Sequence, residues 1–409
     1  MNRLDANFFL SDILNRYPQV MEVFLANGFE DFAKSGAFVE ISPFIRLKTI
    51  LKARNINEKS FTSMLEERIN NSSCNSLLKH PQLEAKDRMN MLVLLPCPLK
   101  LPLQETFTRF IENGHLDQPN NYNYLIEGNA NNQYSYYSYV DRFDDIDEIP
   151  DIVISPGINS FYYKSFVDKF IDKGLFAYAA DYMPNSAFSK IGIIDPESNY
   201  NILSMNLLVM VIDKLKIGNI PFPKTWGDLL NPEFNKKVAI RGQNNSFCET
   251  TLLTIFKGFG IEGIRKLGRS VKYGWHPAKM VKAAGNGSND SPTVSIMPHF
   301  FTKTIKYKKN VEIIWPEDGA IVSPVTMLVK AEKAKNLKEI TEFFTGADVG
   351  RICAAANFPS LHPDVDNKIP QSVKFNWLGW DFIKQNDIGS LLNELNSEFL
   401  KEFAKEGDI

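Results

Sequence analysis

The residues of this chain most able to do chemistry are scattered. His80, His115, His276, His299 and His362 form no H-x-x-x-H or H-E-x-x-H array, and Cys74, Cys97, Cys248 and Cys353 form no C-x-x-C pair. There is no G-x-S-x-G, no G-x-x-x-x-G-K-S/T and no G-x-G-x-x-G, and no strand pattern precedes Gly285-Asn286-Gly287. Non-covalent recognition is what the composition offers instead. Four polar or Pro-broken turns, at 96–100, 155–160, 241–246 and 298–300, each follow an apolar run and precede a helix-like one. They supply Cys97 and Lys100, then Ser155, Gly157, Asn159 and Ser160, then Asn244, Asn245 and Ser246, then Pro298 and His299. Small polar side chains beside helix N-terminal N–H groups suit a small anionic or polar ligand, and Lys100 and Arg241 lie close by in sequence. Glu317 and Asp318 are the acidic candidates, suited either to a cation or to shaping a turn. No catalytic residue and no cofactor is assigned, and the residues leave the identity of any metal unknown.

Single positions admit two readings. Cys97, between two prolines, is a soft ligand or reactive thiol on one and a buried small hydrophobe on the other. Cys248, just inside a helix start, resembles an activated thiol, with neighbouring Glu249 opposing the shift. Tyr134, Tyr136, Tyr137 and Tyr139 offer phenolate oxygens or, as easily, one face of a strand.

Positioning these residues is the task of an α/β scaffold. Met91 to Leu95, Asp151 to Ser155 and Thr293 to Met297 are apolar runs of the kind a buried parallel strand requires. Helices are expected from Gln104 to Glu112 and from Phe161 to Asp172. Strands alternating with helices mean a mainly parallel sheet, whose ligands sit beyond the strands' carboxyl ends. Thr225 fits an N-cap for a short turn over Trp226 to Leu230. Lys237 to Ile240 is strand-like, and Ser246 with Glu249 spells a capping box opening a helix to about Gly258. Residues 1–75 read as a small all-α domain, with Phe9, Ile13, Tyr17, Val20, Phe24 and Leu25 at helical spacing and Pro18 splitting the run. Residues 76–87 are a polar linker.

The run Pro223-Lys224-Thr225-Trp226-Gly227-Asp228-Leu229, continuing through Pro232, Phe234, Lys237, Val238 and Ile240, resembles the second-lobe signature of ABC-transporter extracellular solute-binding proteins. Tyr200 to Asp213 resembles that family's crossing strand, Trp315-Pro316-Glu317-Asp318-Gly319 its return strand, and Gly346 to Gly350 with Phe358-Pro359-Ser360 its late helix and loop. The resemblance covers about Met89 to Phe403 and implies a type-2 periplasmic-binding-protein fold, two-lobed with hinge strands. Lobe one is expected at 88–203 and 325–409, and lobe two at 204–324. Members with iron carry adjacent tyrosines near the late helix, where 346–359 here has none. Ile13 to Phe29 resembles the hybrid-cluster-protein-associated redox disulfide domain; its paired cysteines are missing between Gly28 and Ile41, so no redox role carries over, a plain structural appendage is the default expectation and a docking or dimerisation module the sharper one.

Charge and length fit this reading. With 409 residues, 44% hydrophobic and 23% charged, the chain has material for two or three cores, and a net charge of −2 argues against nucleic acid. No run reaches the roughly 18 apolar residues of a membrane span. Met1 to Ser11 shows no signal-peptide pattern and no lipobox, which predicts a cytoplasmic protein. The expected function is a receptor or sensor binding a small molecule or ion, with an ABC permease or other protein as partner through the helical domain. The alternatives are an importer component whose export signal is absent, and an enzyme of the kind some transferases and porphyrin-pathway deaminases represent on this fold.

Overall fold

The computed structural model describes residues 4–29, 40–72, 89–114, 122–128, 136–243, 245–370 and 372–405. Asn244, Cys74, His80, His115, Tyr134 and the expected linker at 76–87 lie outside them. The chain divides into two units, the first taking in Met1–Ile154, Ser165–Phe176 and Leu328–Ala334.

In this first unit α1 (Leu10–Arg16) and α2 (Met21–Ala26) are separated by a 3-10 turn at Pro18–Val20, where the proline was expected to split the run. Helices α3 (Leu47–Ala53) and α4 (Glu58–Ser72) follow. Phe24, Phe29 and Phe61 are fully buried and meet edge to face, with ring centroids 5.1 to 5.8 Å apart. Each such pair contributes about 0.5–1.5 kcal/mol beyond its area burial, a large share for a small core.

Strand β1 (Met89–Leu95) lies between β2 (Tyr122–Gly128) and the start of β3 (Ile152–Pro156), all parallel. Helix α5 (Cys97–Glu112) makes the crossover from β1 to β2. It begins seven residues before the expected start because Pro98 sits in its first turn, where a missing N–H costs nothing. Tyr137–Val140 forms the short helix α6, not a strand face. Asp151 and Lys330 make a buried ion pair at 3.2 Å, and Asp151 Oδ2 also accepts the Asn90 N–H at 2.8 Å.

The second unit comprises Ser155–Lys164, Ala177–Met327 and Lys335–Ile409. Its axis is β4 (Asn201–Asp213), buried at nearly every position. Strands β5 (Val238–Ile240), β8 (Val271–Gly274) and β9 (Val294–Pro298) run parallel to one another, and β9 pairs antiparallel with β4. Strands β10 (Val311–Ile314) and β11 (Ala320–Val329) are also antiparallel to β4. The expected helix at 161–172 is a 3-10 turn, one short α turn and a π turn in succession.

The stretch after β5 corrects an expected element. Gly242–Gln243 (β6) and Ser246–Phe247 (β7) pair as a tight hairpin, and helix α7 starts only at Glu249, running to Ser270 with a break at Gly260. Ser246 is therefore a strand residue and the Ser246–Glu249 capping box does not form. The hairpin wins because Gly242 admits the Phe247 ring, which stands 2.7 Å from where a β-carbon would be. Cys248 takes the N-cap place with no side-chain cap.

Around the Thr-Trp-Gly-Asp phrase the capping logic holds in another form. Asp228 Oδ2 accepts the N–H groups of Lys224 and Thr225, and Thr225 Oγ1 accepts the Asp228 N–H at 3.3 Å. Trp226, 1% exposed, donates its backbone N–H to Asp318 and its indole N–H to the Gly319 carbonyl at 2.8 Å. Glu317 N–H donates to Lys224 O. The two phrases thus bind each other.

Candidate anion-binding site

The site is built on register. Antiparallel pairing of β4 with β11 sets Asn206 directly opposite Ser323, on one face of the sheet. Ser323 Oγ lies 3.5 Å from Thr250 Oγ1, in the first turn of α7. It also lies 3.5 Å from the point where a β-carbon on Gly157 would stand. Gly157 has φ +79° and donates its N–H to Pro324 O at 2.6 Å, so a side chain there would be strained as well as crowded. Three segments remote in sequence thus meet at one serine.

The first turn of α7 faces this serine with unused donors. Among the described residues, the N–H groups of Glu249, Thr250 and Thr251 have no partner. Thr251 Oγ1 and Asn206 Oδ1 are buried and likewise unpartnered, Thr251 being 1% exposed. A helix N-terminus buried without partners is costly unless a ligand satisfies it, and its partial positive charge favours an anion.

Charge and aromatic surface lie at the carboxyl ends of the parallel strands. Arg241, directly after β5, donates to Glu249 at 2.5 Å, and Glu249 holds the guanidinium even more firmly protonated than usual. Burial, and then the Arg241 charge, pushes the His276 imidazole down. His276 Nδ1 accepts the Ala278 N–H at the start of α8 (Pro277–Ala283). Trp275 donates its N–H to Ile240 O and stacks on Tyr273 at 4.1 Å, with Lys279 over its outer face. His299, first residue of α9 (His299–Thr302), stands 4.6 Å from Trp315 and is pushed down by burial and then by Lys303.

The sequence candidates fall as follows. Ser155 and Asn159 bond each other, Nδ2 to Oγ at 3.0 Å, and Asn159 Oδ1 caps the turn at Phe161 N–H; Ser160 is buried in that turn. Asn245 sits at the hairpin tip with φ +62°, its carbonyl accepting from Asn396, and Ser246 is exposed. Pro298 ends β9 opposite Leu208. Glu317 and Asp318 are both exposed; the Asp318 carboxylate accepts the Trp226 N–H, and its partial desolvation pushes it up. Cys97 and Lys100 belong to the first unit. Cys97 is an exposed N1 residue of α5, its thiol pushed up chiefly by burial, and Lys100 pairs with Glu127 at 2.5 Å. Sequence reasoning missed Asn206, Thr250, Thr251, Ser323 and Trp275. Their polar or aromatic types inside apolar runs were the available signal.

No group of three or more His, Cys, Asp or Glu side chains among the described residues is placed to hold a metal ion. No helix of the described residues is long and apolar enough to cross a membrane.

Residues 147–386 match the family model described as bacterial extracellular solute-binding protein. The helical module lies outside that match. No curated protein matches the chain. Among solved structures, apo ferric ion-binding protein A of Pasteurella haemolytica is similar at 14% identity and TM-score 0.55, covering 78% of this chain and all of that one. A Trichodesmium protein in complex with iron and citrate gives 12% identity and TM-score 0.54, covering 78% of this chain and 100% of its own. The periplasmic binding protein AfuA of Actinobacillus pleuropneumoniae, with fructose-6-phosphate bound, gives 13%, TM-score 0.51, 77% of this chain and 98% of its own. These likenesses show the two-lobed periplasmic-binding-protein fold.

Proposed function

Because the chain belongs to the bacterial extracellular solute-binding proteins, we propose that it is the substrate-binding component of an ABC importer and captures a small hydroxylated oxyanion. The family is one of solute binders, not of enzymes. The carrying observation is the buried first turn of α7, with free N–H groups at 249–251 beside the unpartnered Thr251 hydroxyl. Those donors match carboxylate or phosphate oxygens. Asn206 Oδ1 is an acceptor left over, which a ligand hydroxyl satisfies. Arg241 lies at the same helix start, its charge shared with Glu249.

Neighbouring structures support that chemistry: one holds fructose-6-phosphate and another iron with citrate, both hydroxylated anions. Ferric-ion binders among them favour a second reading, in which the cargo is iron carried by such an anion. Differential scanning fluorimetry with phosphate, citrate, ferric citrate and hexose phosphates separates the two. A rise in Tm with the iron-free anions supports the first reading; a rise with ferric citrate alone supports the second; no response from any of them overturns both. Fractionation of the native cells tests the importer role. Recovery with the cell envelope supports it, and a purely cytoplasmic pool returns the protein to the sensor reading.

A further inference from the structure

The end of the second unit away from His299 and Arg241 carries a surface of its own. Strand β4 ends there: β9 runs antiparallel to it with Ile212 opposite Val294, so Asp213 lies at the amino ends of the parallel strands. Three segments are tied together at Asp213, which is 2% exposed and whose carboxylate accepts the N–H groups of Leu215 and Gly285 at 2.9 Å. Asn310 closes the knot, its side chain donating to Gly285 O and its carbonyl accepting the Lys214 N–H, both at 2.8 Å. The segments 213–219, 282–291 and 306–313 hold six lysines, no arginine and three carboxylates. Of the carboxylates, Asp213 is engaged inside the knot, Glu312 holds Lys214 at 3.7 Å, and Asp290 is exposed. Lys216, Lys282, Lys308 and Lys309 have no carboxylate partner among the described residues, and Lys306 lies over the Tyr307 ring at 5.3 Å. A surplus of three positive charges thus gathers on a chain whose net charge is −2. Two outward apolar groups stand among the lysines: Leu215, 56% exposed, between Lys214 and Lys216, and Tyr307, 40% exposed, between Lys306 and Lys308.

We propose that this surface seats the protein on an anionic phospholipid bilayer, the lysines over the headgroup phosphates and Leu215 and Tyr307 dipping into the headgroup layer. Clustered lysines are drawn to the negative potential of such a surface, and apolar side chains among them add a short-range attachment. The choice of lysine favours lipid over an acidic protein. A mobile ammonium serves a diffuse layer of phosphates, whereas the planar fork of arginine is the better match for fixed carboxylates. Tyrosine suits the same depth, with its ring apolar and its hydroxyl wet. Peripheral docking of this kind needs no membrane-spanning helix. It uses none of the donors at the start of α7 and stands whether or not that site takes an anion.

Co-sedimentation of the full chain with vesicles tests it, using phosphatidylcholine alone and equal parts of phosphatidylcholine and phosphatidylglycerol. The expected result is binding to the mixed vesicles only, falling as salt is raised. Lys306→Gln/Lys308→Gln/Lys309→Gln should weaken it about tenfold or more, and Leu215→Ser about threefold at unchanged charge. The charge-matched control Lys266→Gln/Lys338→Gln/Lys401→Gln should bind like the wild type. All of these side chains are exposed, so the variants keep the fold, which their melting temperatures check. Failure to bind the mixed vesicles overturns the proposal, and retention on immobilised polyglutamate in that case assigns the surface to an acidic protein. Equal binding to both vesicle types, full binding by either patch variant, or equal loss in the control overturns it as well.

Discussion

Keeping the Thr251 hydroxyl buried without a partner costs the empty protein about 1–3 kcal/mol. Thr251→Val removes that cost while roughly preserving shape. The expected outcome is a melting temperature equal to or above that of the wild type, together with about tenfold weaker ligand binding in calorimetry. A variant that melts lower and binds normally would assign the hydroxyl to the fold alone. His299 gives a pH test. Burial lowers its folded-state pKa below the ordinary 6.5, so the folded protein resists the proton that the unfolded chain accepts. Stability from this group is therefore complete above that ordinary value and is lost as pH falls from it toward the depressed one. Melting curves across that window should fall more steeply for the wild type than for His299→Gln. Equal slopes would remove His299 from the account of stability.

At the scale of elements, the hairpin ahead of α7 decides where the helix begins. Gly242→Ala drives a β-carbon into the Phe247 ring and to 3.0 Å from Gly274 Cα. Overpacking of this kind costs about 1–3 kcal/mol, to be read from urea unfolding, and should weaken ligand binding as well because the first turn of α7 shifts. Trp226→Phe keeps most of the apolar volume but orphans the Gly319 carbonyl, a loss of about 1–3 kcal/mol with ligand affinity retained. These two elements also show what was legible beforehand. The strands at 89–95, 152–156 and 294–298 were legible because a continuous apolar run has few other places to go. The start of α7 was not, because Ser246 and Glu249 satisfy a capping-box pattern while the competing hairpin depends on a glycine making room for an aromatic ring. Asn206 and Ser323 were invisible as a pair for another reason. Each is a polar residue in an apolar strand, and only the pairing register makes them neighbours.

For the molecule as a whole, chain-remote charges matter as much as the signature phrases. Asp151 and Lys330 are 7% and 5% exposed, and Lys330→Met leaves the carboxylate buried with only the Asn90 N–H. Loss of about 3–5 kcal/mol in urea unfolding is expected, against little change for a surface lysine such as Lys338→Met. Nothing in the sequence marks that pair, since both residues flank apolar strands where a charge reads as a strand end. The family, by contrast, was legible from Thr225-Trp226-Gly227-Asp228 and Trp315 to Gly319, and the structure gives the reason. Each phrase supplies the hydrogen-bond partners of the other, so neither tolerates drift alone. The helical module carries no such phrase within the family match, and its packing on residues 142–148 became visible only in three dimensions.

Native mass spectrometry of protein purified from its own cells, without unfolding, decides whether an oxyanion occupies the start of α7. A retained anionic, hydroxyl-bearing adduct on the wild type, absent or much reduced on Thr251→Val prepared identically, is the predicted result. An adduct of equal occupancy on both would place the ligand elsewhere, and a bare wild type that none of the offered oxyanions stabilises would contradict the claim outright.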